Sequence, residues 1–286
     1  MQSKVAIVTG GNAGIGKQTA IGLAEKGINV VLLCRNEQKG RAAQKEIQTE
    51  TGNPNVDLIL CDLASLESVQ RAANEFRSKY DRLDLLINNA GLFTDYLSKT
   101  QDGFETQFQV NHLSHFYLTQ LLLDLLKKSA PARIINVSSA AHRGKNMDFG
   151  NLPYGQEKYD GLDVYGQSKL ANVLFAYEHT RRFQEDGITS FALHPGVVRT
   201  QIGVKNTKGW VSWGWKILTS LPILTISEKQ GAATSLHAAL SPELEGIGGK
   251  YLKNSKVIKS TKQSYNEETA KELWALSEKL LKEKMG

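Results

Sequence analysis

Tyr165 and Lys169 stand four residues apart in DGLDVYGQSKLANVLF, so on a helix they share one face. An ordinary tyrosine titrates near pH 10, too high to exchange protons at neutral pH. A neighbouring ammonium lowers that value and makes the phenol a workable general acid or base. Ser138 and Ser139 close the apolar run IINV, where a hydroxyl is placed to hydrogen-bond a carbonyl oxygen. The loop TGGNAGIG sets Gly10, Gly14 and Gly16 between an apolar run and an amphipathic one. Glycine there lets backbone N–H groups approach a pyrophosphate, which a helix N-terminus then stabilises. Each signal has a plainer reading: a surface helix pair, a turn serine, a tight turn. Their joint presence is what points to chemistry.

The elements that would hold these residues alternate along the chain. Lys4–Val8, Val30–Leu33, Val56–Leu60, Leu83–Ile87, Arg133–Val137 and Ser190–Leu193 read as strands. Ile15–Lys26, Gln38–Thr51, Leu66–Lys79, Phe104–Lys128, Tyr165–Phe183, Gln230–Leu240 and Glu267–Lys284 read as helices, with Ser65 an N-cap. The strands are apolar throughout rather than alternating, which predicts a parallel sheet buried on both faces. Right-handed crossovers then give a doubly wound α/β sheet of the Rossmann type, about seven strands, with ligands at the carboxyl ends. No Pro/Gly/Ser-rich linker interrupts it, so residues 1–286 read as one domain.

Bulk properties exclude several classes. The 286 residues, 41% hydrophobic and 22% charged, suit an ordinary globular chain without repeats. Two cysteines, Cys34 and Cys61, are too few for a disulfide framework or a cysteine zinc site, and fit a reducing compartment. His112, His115, His142 and His194 lack metal-ligand spacing, so no metal is expected. His142 lies nearest the presumed site, where a structural role is the expectation. The start MQSKVAIVTGG carries no signal region, and Ile217–Ile226 is too short and Pro-broken to span a bilayer. A cytoplasmic location is the expectation. Net charge is +6 and pI about 9.1, but acids and bases interleave. The one local excess, five lysines over Lys250–Lys262, reads as a solvated face rather than a nucleic-acid site.

Over nearly its whole length the chain resembles the short-chain dehydrogenase/reductase family. The matching segments are Thr9–Gly16, Asn88–Gly91, Asn111, Ser139, Tyr165–Lys169 and Pro195–Gly196, in the family's order. The resemblance implies that Tyr165 exchanges the proton with a substrate carbonyl or hydroxyl, while Ser139 polarises the carbonyl. It implies that Lys169 lowers the tyrosine's pKa and holds the nicotinamide ribose, and that Asn111 supports a water-linked proton path. Gly10, Asn12, Gly14, Ile15 and Gly16 would cradle the pyrophosphate. Asp62, Leu63, Asn89, Ala90 and Gly91 would line the adenosine side, and Pro195, Gly196, Val198 and Thr200 the nicotinamide. Asp62 also suits a capping role, and Asn88 and Asn89 a tie of the fourth strand to the fifth.

Longer stretches, among them CRNEQKG, VNHLSHFYLTQLLLDLL and SEKQGAATSLHAAL, resemble the branch of retinol dehydrogenases and the WW-domain oxidoreductase. Ser139 and Tyr165 stand 26 positions apart, about twice the commoner family spacing, an insertion that branch shares. Residues around 203–228 fall where the family places its substrate lid. Trp210, Trp213 and Trp215 with the following isoleucines and leucines would line an apolar pocket, pair with a second copy, or touch a membrane surface through 208–227. The expected substrate is therefore a hydrophobic alcohol, aldehyde or ketone.

At the end of the second strand, NAD-selective sheets carry an acid for the ribose 2′-hydroxyl. Positions 34 to 36 hold none, and the first acid is Glu37. Arg35 offers a permanently charged fork suited to phosphate and Asn36 a neutral donor, so NADP(H) is expected over NAD(H). The rival readings are a cofactor-binding regulator, an interaction scaffold, and a C=C reductase of the protochlorophyllide reductase type. The last needs a reactive cysteine near the substrate, and neither cysteine is positioned there.

Overall fold

The computed structural model describes residues 3–155, 158–197 and 225–286. Eight strands form one sheet among these residues, in the order β3-β2-β1-β4-β5-β6-β7-β8. They are β1 Val5–Thr9, β2 Asn29–Cys34, β3 Val56–Leu60, β4 Leu85–Asn88, β5 Ala132–Val137, β6 Ile188–His194, β7 Lys250–Lys253 and β8 Lys256–Ile258. Every neighbouring pair is parallel except β7 with β8. The order reverses between β1 and β4, and ligands of such sheets gather beyond the strand ends at that reversal.

The apolar runs are buried on both sides, as their lack of alternation predicts. Val5 and Ile7 face one core and Ala6 and Val8 the other. Helices α1 Gly14–Ala24, α2 Glu37–Thr51 and α8 Glu228–Leu240 cover the second face. Helices α3 Leu66–Lys79, α5 Ser114–Leu121, α7 Gly161–Phe183 and α9 Glu267–Met285 cover the first, where Phe116, Phe175 and Trp274 meet ring to ring. Caps fix the helix starts: Asn36, Ser65, Asp160 and Asn266 each accept a backbone N–H, and Ser227 with Gln230 forms a reciprocal capping box.

Three elements depart from the sequence reading. The helix expected over Phe104–Lys128 is α4 Thr106–Phe108, a π turn Gln109–Leu113, α5, and α6 Leu123–Lys128 after a break at Leu122. Periodicity cannot see this, because a π turn adds a residue without changing the apolar composition. Helix α7 starts at Gly161, one turn before Tyr165, since Asp160 caps it. The lysine-rich segment contains β7 and β8, whose Tyr251 and Leu252 are buried while the lysines face outward.

Candidate active site

Thr9, the last residue of β1, ties the glycine loop to the end of β4. Its hydroxyl accepts from the backbone N–H of Asn89 and of Ala90, both at 2.9 Å. The Asn89 side chain donates to the Thr9 carbonyl at 2.8 Å. Gly10 and Gly14 have φ of 65° and 58°, left-handed values that favour glycine. A Cβ on Gly16 would lie 2.4 Å from the Gly10 carbonyl oxygen, so the loop closes only over a bare backbone. Ala13 at the start of α1 supplies no side-chain cap, and the first turn holds no acid. The leading N–H groups of α1 therefore offer an anion the donors that side chains take up in α2, α3, α7, α8 and α9. The residues present fit a pyrophosphate.

At the end of β2, Arg35 is exposed and has no ion pair or hydrogen bond among the described residues. Glu37, the nearest acid, is paired with Arg41 at 2.8 Å. The Asn36 side-chain oxygen Oδ1 caps α2 by accepting from the Lys39 N–H at 2.9 Å, which leaves the side-chain amide protons as donors. Asp62 accepts from the Ala64 N–H at 3.0 Å, so one oxygen shapes its own turn. Leu63 is buried and its carbonyl accepts from the Ser114 hydroxyl at 2.6 Å. Asn88 donates to Asn136 at 2.9 Å and stitches β4 to β5, the tie between strands expected of it.

The proton-active residues meet at the ends of β4 and β5. The Ser138 hydroxyl donates to the Lys169 carbonyl at 2.7 Å, fastening β5 to α7. Ser139 accepts from the Ala141 N–H at 3.2 Å, and its hydroxyl reaches the Tyr165 phenol. The Lys169 ammonium lies 5.6 Å from the Tyr165 ring centroid and donates to the Val137 carbonyl at 3.2 Å. A Cβ on Gly91 would lie 3.1 Å from the Lys169 nitrogen and 3.2 Å from Asn111 Oδ1, so this glycine leaves space between them. Asn111 sits within the π turn. It accepts from the Leu92 N–H at 2.8 Å and donates to the Leu92 carbonyl and the Ser168 hydroxyl, each at 3.0 Å.

Burial sets the electrostatics. It pushes the Tyr165 phenol up to about 12, with the Ser139 hydroxyl pulling the other way. It pushes the Lys169 ammonium down to about 8. Lys169 is not among the groups that move Tyr165 here: burial raises the phenol, and the lowering contribution comes from Ser139. Tyr165 as a whole is half-buried.

Sequence reasoning missed Phe93, whose ring meets Tyr165 edge-on at 5.6 Å, and His115. His115 Nδ1–H donates to the Asn111 carbonyl at 3.2 Å, which leaves Nε2 to accept from the Thr9 hydroxyl at 2.9 Å. Burial holds this imidazole down to about 4, and so neutral, as that pairing requires. The four-residue spacing of Asn111 and His115 was the available signal. Pro195 and Gly196 follow β6, and a Cβ on Gly196 would lie 2.5 Å from Ile226. Val198, Thr200 and the tryptophans at 210, 213 and 215 lie outside the described residues, as does the expected lid apart from 225–228. Cys34 and Cys61 lie in cores on opposite faces of the sheet, their thiols pushed up to about 12 by burial. No group of histidine, cysteine or acidic residues among those described can hold a metal, and no described helix is long and apolar enough to cross a membrane.

A family model for short chain dehydrogenase matches residues 4–209. Human retinol dehydrogenase 13 is 44% identical over 288 residues, covering 97% of this chain and 84% of that protein. The WW domain-containing oxidoreductase of Pongo abelii is 44% identical over 292 residues, covering 99% of this chain and 69% of that protein. Among solved structures, an uncharacterized protein from Mycobacterium Paratuberculosis superposes with a TM-score of 0.77 at 30% identity, covering 98% of this chain and 93% of the other. The Pseudomonas aeruginosa RhlG/NADP active-site complex does so at 0.68 and 26% identity, covering 88% and 94%. With the glycine loop, the Ser139–Tyr165–Lys169 cluster and these likenesses together, the chain belongs to the short-chain dehydrogenase/reductase family of oxidoreductases, in the branch that holds the retinol dehydrogenases.

Proposed function

We propose that the protein transfers a hydride between NADP(H) and an apolar alcohol or carbonyl compound, acting as a carbonyl reductase within one catalytic unit in the cytoplasm. The cofactor supplies and accepts the hydride. In this reading Ser139 and Tyr165 hold the substrate oxygen, and Tyr165 gives it the proton as negative charge develops. Lys169, fixed by the Val137 carbonyl, holds the ribose and keeps a positive charge beside the phenol. Asn111 keeps the path behind Lys169 ordered through its bonds to Leu92 and Ser168.

The observation that carries the reading is the convergence of Ser139, Tyr165, Lys169 and Asn111 at the ends of β4 and β5, beside the strand pair where the sheet order reverses. Arg35, without an ion pair among the described residues and with Glu37 turned to Arg41, supports the choice of NADP(H) through a phosphate-binding fork. The names of the retinol dehydrogenases support an apolar alcohol or aldehyde. A screen of aldehydes, ketones and alcohols, followed by nicotinamide absorbance with both cofactors, tests it. Turnover of decanal and cyclohexanone above that of small polar ketones, and with NADPH above NADH, is the expected result; the reverse order refutes the substrate and cofactor assignments.

A further inference from the structure

The 25-residue interval between Ser139 and Tyr165 does not simply loop out. It returns to the segment that precedes the π turn. The Glu105 N–H donates to the Pro153 carbonyl at 2.7 Å, and Tyr159 donates its phenol proton to Glu105 Oε1 at 2.7 Å. Glu105 has no exposed surface. Its carboxylate also accepts from the N–H groups of Gln107 at 3.0 Å and Phe108 at 2.6 Å, so it caps the helical segment that carries Asn111. The Gln107 amide then donates to the Tyr159 oxygen at 2.6 Å, the Thr94 carbonyl at 3.2 Å and the Gly161 carbonyl at 3.1 Å.

Those acceptors lie next to the reacting groups. Thr94 follows Phe93, which packs edge-on against Tyr165, and Leu92, which holds Asn111 by two bonds. Gly161 opens the helix that presents Tyr165, and a Cβ on it would fall 2.1 Å from the Thr94 carbonyl oxygen. One buried knot thus joins the interval, the Leu92–Thr94 strip, the segment of Asn111 and the first turn of α7.

We propose that Glu105 and Tyr159 are positioning residues, which fix Tyr165 against Phe93 and Asn111 and make the long interval part of the catalytic scaffold. The inference rests on Tyr165 as the acid–base residue, yet half of its test does not need turnover. Tyr159→Phe keeps the ring and removes the proton that bridges to Glu105. Peptides covering 92–94 and 160–166 are expected to exchange amide hydrogens at least fivefold faster in this variant, while peptides over the glycine loop 9–16 exchange as before. With NADPH and decanal, kcat is expected to fall about tenfold or more, with KM and the NADPH dissociation constant within twofold. General loosening of the fold would instead raise exchange everywhere and weaken NADPH. Unchanged exchange at 160–166, or an unchanged kcat, overturns the proposal. Should Tyr159→Phe not fold, Glu105→Gln keeps the side-chain shape, and the same exchange and kcat measurements on it support or overturn the proposal in the same way. An active Tyr165→Phe protein would refute the acid–base reading while the exchange data still decide the scaffold.

Discussion

In the proposed reduction Tyr165 is the donor: its phenol, held up near 12 beside an ammonium held down near 8, is protonated through neutrality. An alkoxide forming on a reduced carbonyl is a far stronger base than either, so the transfer from Tyr165 runs downhill. Tyr165→Phe is expected to lower kcat by about 10²–10⁴-fold with NADPH affinity nearly intact, as read by tryptophan fluorescence titration. The sign of the Lys169 effect follows from its depressed value. The charged form dominates below pH 8 and is lost above it, so reduction should hold through neutrality and decline above about pH 8. A rate that keeps rising to pH 10 would remove Lys169 charge from the mechanism. At the other end of the cofactor site, Arg35→Ala should raise KM for NADPH at least tenfold, as loss of a charge-assisted contact to phosphate does, and leave KM for NADH within twofold.

At the level of elements, the turn between β1 and α1 tolerates little change. Gly16→Ala sets a methyl 2.4 Å from the Gly10 carbonyl oxygen, so backbone must move. The expected cost is about 1–3 kcal/mol in urea unfolding, together with loss of measurable NADPH binding, whereas Gly27→Ala, strained by its φ of 70° but with nothing near its Cβ position, should lose about 1 kcal/mol and keep binding. The glycine loop, the strand-end serines and the Tyr165–Lys169 helix were legible because each depends on short-range chemistry: a bare backbone, a turn hydroxyl, a four-residue spacing. Asn111 was readable only through likeness to a family. Its position depends on a π turn and on Leu92, neither of which marks the apolar pattern. Phe93 and His115 were hidden for a related reason. An aromatic and a histidine inside apolar runs look like core until the strand ends bring Tyr165 and Thr9 against them. The same holds for β8, three residues long and too short to show any period.

Over the whole molecule, the buried histidines make the fold sensitive to acid. Burial depresses His112 and His179 to about 3 and His115 and His194 to about 4, and lowers His142 as well. An unfolded chain protonates these rings near pH 6.5, so between there and pH 4 it binds more protons than the native state, and stability falls as pH falls. Each ring contributes at most about 1.4 kcal/mol per pH unit in that window, and a typical domain has only about 5–15 kcal/mol in reserve. Circular dichroism should therefore show acid unfolding with a midpoint between pH 4 and 6, and His179→Phe should move it downward. At the opposite extreme of scale from a proton, the sheet ends in β8, which runs against its neighbour and carries Lys256 at its start with Lys259 just beyond. An open strand edge invites another chain to extend the ladder. Here the invitation is brief and flanked by cations, so two β8 edges repel as they approach and are kept from pairing with each other.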